Sequence, residues 1–189
     1  MPRPRGFDEN EVLGCAMRMF WRRGYEGTTT RAIQDETGVG IRSLANTFGE
    51  KDEFFVRALR MYREMAEGIL DQVFAEPGVE AIVAFFTGMG IPTEDADDVR
   101  NAGCLMVNTT FELTRTSPAI REEVETYRAM FRERFRDALE ADGIADADTR
   151  AEFLVGALWG ALSQIRLTGT TAAAKPMTDV VIATVRGWR

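Results

Sequence analysis

The stretch TTTRAIQDETGVGIRSLANTFGEK, Thr28–Lys51, sets a Gly-Val-Gly break between two short helix-like runs. The threonines at 28–30 suit a helix N-cap, Ala32, Ile33 and Thr37 recur at helical spacing, and Gly38 can take the left-handed conformation that ends a helix. Beyond Val39 and Gly40, the run Ile41–Phe48 puts Leu44 and Phe48 on one face, and Gly49 closes it. Helices of two turns are unstable alone in water, so both must pack on a partner. Val12, Leu13, Ala16, Met19 and Phe20 provide one: they form an apolar face from about Asp8 to Arg23, with Gly24 as the stop. Three helices on one small core, with a tight glycine turn between the last two, make a helix-turn-helix, whose second helix suits the DNA major groove.

The same periodicity continues. From Lys51 a long helix is expected to about Phe74, followed by helices at Val79–Met89, Val99–Thr114, Pro118–Ala141, Asp148–Leu167 and Pro176–Gly187. The linkers GIPTEDADD, TSP, DGIADAD and GTTAAAKP separate them, and no run alternates long enough to demand a strand. The expectation is an all-α chain of about nine helices: a helix-turn-helix domain with an N-terminal arm over 1–50, and a helical bundle over 51–189.

Composition narrows the function. Histidine is absent, which removes the commonest general base and metal imidazole, and Cys15 and Cys104 show no paired spacing. No enzyme, metal site or cofactor is expected. The apolar runs fall short of the roughly 20 residues that cross a bilayer, and the N-terminus lacks a signal-peptide pattern, so a cytoplasmic protein with no membrane contact is expected. Net charge is −7, but residues 1–50 carry seven arginines against seven acidic residues, so contact with nucleic acid belongs to this neutral segment.

With these elements placed, the segment FWRRGYEGTTTRAIQDETGVGIRSLANTFGEKDEFF, Phe20–Phe55, resembles the TetR family of bacterial transcriptional regulators. Phe20, Gly24, Tyr25, Thr28, Ile33, Gly38, Val39, Leu44, Phe48 and Lys51 sit where the family pattern expects them. GCLMVNTTFELTRTSPAIREEV, Gly103–Val124, is similar to the C-terminal domain of one branch, as is the PRPRGF arm. Gly40, Arg42 and Ala45 depart from the pattern. The resemblance implies a ligand-responsive repressor that binds operator DNA as a homodimer and is released by a small molecule. Rival readings are a helical interaction module without DNA binding, and a thiol sensor of electrophiles or oxidants using Cys104.

On the expected reading helix, Arg42 can contact guanine and Asn46 adenine bidentately; they lie four apart on one face. Ser43 can serve either groove wall, and Ile41 a thymine methyl. Thr29 and Thr30, and Lys51 at the next helix start, offer donors to phosphate, with ordinary capping as the alternative. Arg3 and Arg5, stiffened by prolines, suit a minor groove or belong to a solvated tail.

In the bundle, Phe85, Met89, Phe111, Tyr127, Met130 and Trp159, alongside Asn108, Glu112 and Gln164, have the composition of a small-molecule pocket, and equally of a core. Cys104, near the start of its expected helix, joins them as a reactive or an inert thiol. Gly156, Ala157, Gly160 and Ala161 form a small-residue stripe for close helix approach. The resemblance places a four-helix dimer interface on the last two long helices, and a two-fold dimer implies a palindromic operator.

Overall fold

Asp8 opens the first helix by accepting from the backbone amides of Asn10 and Glu11 at 2.8 and 3.2 Å, and α1 runs Glu9–Arg23. The computed structural model describes residues 6–112 and 117–189, and among these every regular element is helical. Thr29 Oγ1 caps α2 (Thr30–Thr37) by accepting from the Ala32 amide at 3.1 Å. Gly38, at φ 72°, ends it in the left-handed region where a β-carbon is penalised, and α3 follows at Ile41–Phe48. A reciprocal box between Glu50 and Glu53 starts α4, Lys51–Val73.

The remaining helices are α5 (Val79–Met89), α6 (Leu105–Glu112), α7 (Pro118–Ala141), α8 (Ala147–Thr168) and α9 (Lys175–Arg186). The expected helix over Val99–Thr114 is broken. Val99–Ala102 is a separate 3-10 turn, Gly103 sits at φ 78°, and α6 begins only at Leu105. A β-carbon on Gly103 would stand 2.9 Å from the Leu162 carbonyl oxygen, so both backbone angle and close approach demand glycine. Leu113 and Thr114 lie outside the described residues. A second 3-10 turn, Thr171–Ala174, occupies what reads in sequence as a linker.

Aromatic packing holds the short helices. Phe20 of α1 meets Phe55 of α4 at a ring distance of 4.8 Å, and Phe48 of α3 stacks on Phe54 at 4.3 Å; all four are essentially inaccessible to solvent. Beyond this cluster α4 continues into the second layer, where it lies against α7, α7 runs along α8, and α5 pairs with α9. Leu70, Ile82, Phe86, Phe135, Leu139 and Leu154 are fully buried there.

Among the described residues one charged group is also buried. Glu123 of α7 accepts from Arg60 Nε and Nη2 at 3.0 and 2.7 Å and from Arg63 Nε at 3.2 Å, tying α7 to the middle of α4. The carboxylate raises the already high pKa of Arg60. Removing the buried anion takes a partner from two guanidinium groups, a penalty softened because Arg60 is half in solvent and Arg63 keeps Glu67 at 3.9 Å. Glu123→Ala is expected to lower unfolding free energy by about 2 kcal/mol, measured by urea denaturation at neutral pH.

Candidate DNA-reading face and internal cavity

The geometry of α3 follows from its two buried anchors. With Leu44 and Phe48 buried, the latter stacked on Phe54 of α4, Ile41, Arg42, Ser43, Ala45 and Asn46 are left exposed. Among the described residues, the Arg42 and Asn46 side chains have no hydrogen-bond or ion-pair partner, so their donors are free for an external ligand. Gly40 holds the N-cap position without a side-chain hydrogen bond, which leaves amides at the start of α3 open. Thr29 is exposed but its hydroxyl oxygen is spent on capping, and Thr30 is half-buried.

Lys51 Nζ sits 4.0 Å from the centre of the Tyr25 ring. Tyr25 in turn donates its hydroxyl to Asp52, and burial, then that bond, pushes the phenol up to about 12. Lys51 thus has a structural partner at the start of α4 besides any phosphate. Arg3 and Arg5 lie outside the described residues.

A cavity of about 320 Å³ lies in the bundle, with Trp21 of α1 contributing to its wall, within the range of small-molecule sites. Of the residues expected to line a pocket, Phe85, Met89, Cys104 and Tyr127 do so. The others do not. Phe111 is 77% exposed and, with Asn108 and Glu112, borders a separate shallow groove. Asn108 Nδ2 is spent on the Ala102 carbonyl at 3.0 Å. Met130 lies in a charged surface groove, Trp159 packs at 6.0 Å from the Tyr127 ring outside the cavity lining, and Gln164 is exposed. Ala161 of the small-residue stripe is fully buried against Ile165 and Ala174, whereas Gly156 is exposed and Ala157 and Gly160 partly so.

The sequence reading missed the wall contributed by Trp21, Tyr62, Met65, Ile69, Ile91, Arg100, Leu158 and Leu162. Met65, Ile69 and Ile91 are both lining and substantially exposed, so they mark the opening. Trp21 belongs to α1 of the reading head. Its indole nitrogen donates to the Gly103 carbonyl at 2.9 Å, and its ring meets Tyr62 edge-on at 4.8 Å. No sequence signal assigned a residue of the first domain to a pocket in the second.

Cys104 precedes α6 and is 1% exposed. Tyr62 donates its hydroxyl to the sulfur at 3.3 Å, and the Tyr127 hydroxyl lies 3.4 Å from the same atom. A reagent in bulk solvent does not meet this thiol without first entering the cavity. Burial pushes both phenols well above their usual range, so both keep their protons at physiological pH. Among the described residues, no group of three His, Cys, Asp or Glu side chains can hold a metal ion, and no helix is long and apolar enough to cross a membrane.

A helix-turn-helix head joined to a cavity-bearing helical bundle is the architecture of a one-component transcriptional regulator. Residues 12–58 match the model for bacterial regulatory proteins of the tetR family, and residues 78–181 match that for the tetracyclin repressor-like C-terminal domain. The chain belongs to the TetR family. It is 30% identical to the HTH-type transcriptional repressor ComR of Escherichia coli (strain K12) over 131 residues, 68% of this chain and 61% of ComR, so less than two thirds of that relative is matched. It is 27% identical to the repressor AcnR of Corynebacterium glutamicum over 186 residues, 93% of this chain and 91% of AcnR. A solved structure of a CifR cysteine mutant, described as complexed with 26bp double-strand operator DNA, superposes with a TM-score of 0.79 at 28% identity, covering 99% of this chain and 100% of that one.

If Arg42 and Asn46 read bases, each bidentate contact contributes about 1–3 kcal/mol of discrimination. The double variant Arg42→Ala, Asn46→Ala is expected to weaken operator affinity at least about tenfold in a gel shift at stated salt. Its melting temperature should be unchanged, since both side chains are exposed.

Proposed function

We propose that this protein is a ligand-responsive transcriptional repressor that grips a palindromic operator as a homodimer through α3 and lets go when a small molecule fills the cavity. The supporting observation is the cavity's construction: one wall is Trp21, a residue of the same helix against which the reading head packs. The relatives named as repressors and the operator-bound structural neighbour support the DNA-binding half of the reading.

Two elements couple cavity to head. Along α4, which begins beside the reading helix at Lys51, Tyr62, Met65, Ala66 and Ile69 face the void further down the same rod. The end of α1 is pinned to the bundle by four polar contacts. Besides the Trp21–Gly103 bond, Arg22 donates to the Asp97 carbonyl, Arg166 donates to the Arg22 carbonyl at 3.1 Å, and the Tyr25 amide donates to Glu112 at 3.4 Å. A ligand that displaces Trp21 or spreads α4 from α7 binds a differently angled pair of heads more tightly than the operator-bound pair, and so disfavours DNA.

The dimer is proposed on α8 and α9. Phe153, Gly156, Ala157 and Gly160 on α8, with Met177 and Val180 on α9, present apolar or small side chains to solvent on the bundle, and Val180 is 62% exposed. Met177 Cε stands 3.4 Å from where a β-carbon on Gly160 would sit, so the two helices are already close within one chain. Ala161 contributes to each protomer's core instead.

Light scattering should give the mass of a dimer at micromolar concentration, and a gel shift with the DNA flanking the protein's own gene should give a specific complex; a stable monomer or no complex would sink the reading. Trp21→Phe keeps an aromatic ring of smaller size but strands the buried Gly103 carbonyl, at about 1–3 kcal/mol. It is expected to weaken operator affinity about tenfold although it lies far from α3, measured by the same gel shift.

A further inference from the structure

The polar atoms of the cavity wall can be accounted for one at a time. Arg100 is its only charged residue, and both Nε and Nη2 are held by the Asp98 carboxylate at 2.9 and 2.6 Å. The Gly103 carbonyl already accepts from Trp21, and the Thr171 hydroxyl accepts from the Thr93 amide at 2.9 Å. What remains, besides the Thr171 hydroxyl proton, is the group Tyr62, Cys104 and Tyr127, three lining residues whose polar atoms lie within 3.4 Å of the shared sulfur. A thioether or thiol sulfur is a weak acceptor, so a phenol proton pointed at it forms a poorer bond than it would with oxygen. Everything else in the lining is aliphatic, aromatic or methionine, apart from small glycine and alanine positions.

We infer that the effector is an uncharged, largely apolar molecule carrying one hydrogen-bond-accepting oxygen, and that this oxygen docks on the hydroxyls of Tyr62 and Tyr127 beside Cys104. The inference rests on the effector reading proposed above and specifies its chemistry. An anion would enter a wall whose single cation is already neutralised, and no unpaired donor of positive charge awaits it. A cation would gain from the rings of Trp21, Tyr62 and Phe131, but no carboxylate lines the void to replace its water. A pure hydrocarbon gains the burial but offers the two phenols no better acceptor than the sulfur and each other. A ketone, ester, amide or ether oxygen gains both, and the apolar opening at Met65, Ile69 and Ile91 admits it without a polar barrier.

Four probes of nearly one shape separate these cases: benzylacetone, butylbenzene, hydrocinnamate and phenylpropylammonium. Titrated calorimetrically into the full-length protein, benzylacetone is expected to bind at least about tenfold more tightly than butylbenzene and about thirtyfold more tightly than either ion. Tyr127→Phe and Tyr62→Phe should each reduce benzylacetone affinity severalfold while leaving butylbenzene affinity unchanged, a pattern that mere loosening of the fold would not produce. An ion binding as well as the ketone, equal losses for ketone and hydrocarbon in the tyrosine variants, or no binding by any probe would overturn the inference. Ketone binding that leaves the operator gel shift unaltered supports this site chemistry and counts instead against the ligand-release reading.

Discussion

Two helices of eight residues do not persist in water on their own, and the whole molecule depends on what holds α2 and α3 in place. The answer is an aromatic wedge: Phe20 from α1, Phe48 from α3, and Phe54 and Phe55 side by side at the start of α4. Because two of the four rings belong to α4, the reading head cannot be oriented independently of this 23-residue strut that enters the bundle. The capping box at Glu50 and Glu53 and the ring of Tyr25 under Lys51 fix the same junction from outside. The contacts that stabilise the small domain are therefore the same ones that join it to the bundle.

The cavity extends that logic. It is roofed by α1, walled by α4 and closed by α7 and α8, so whatever occupies it touches both layers at once. The chain break at Gly103 is what allows this. Without the glycine, the backbone could not press within contact distance of Leu162 and Arg166 on α8, and its carbonyl would not be available to the Trp21 indole. Glu123 clamps α4 to α7 at the middle of α4, beside the stretch that lines the cavity.

Most of the fold was legible in the amino-acid sequence because helix ends there carry chemical marks. Asp8, Thr29, Gly38, Gly49 and Pro118 each sit where the helix boundary falls. The family pattern was equally plain between Phe20 and Phe55, since it consists of buried rings and turn glycines whose spacing is dictated by packing. The 3-10 turn at Val99 was missed because its apolar spacing matches an α-helix until Gly103, and only the close approach to α8 explains the break. Cavity residues were half legible. Composition finds Phe85, Met89 and Tyr127, but periodicity cannot tell which side of a buried helix faces a void rather than a neighbour, so Met130 and Trp159 were placed inside and Tyr62 and Leu158 were not. Trp21 was invisible for a different reason: a domain boundary drawn along the chain hides contacts that cross it.

The reading helix carries one cation, Arg42, among its eight residues, in a domain with no net charge and a protein that is acidic as a whole. Few counterions are then displaced from random duplex, which makes sequence-independent adhesion weak. On the regulatory reading, such a protein spends its idle time dispersed in solvent rather than sliding along the chromosome. It reaches its target by repeated three-dimensional encounters, and a molecule freed by its effector is not held nearby by the surrounding genome.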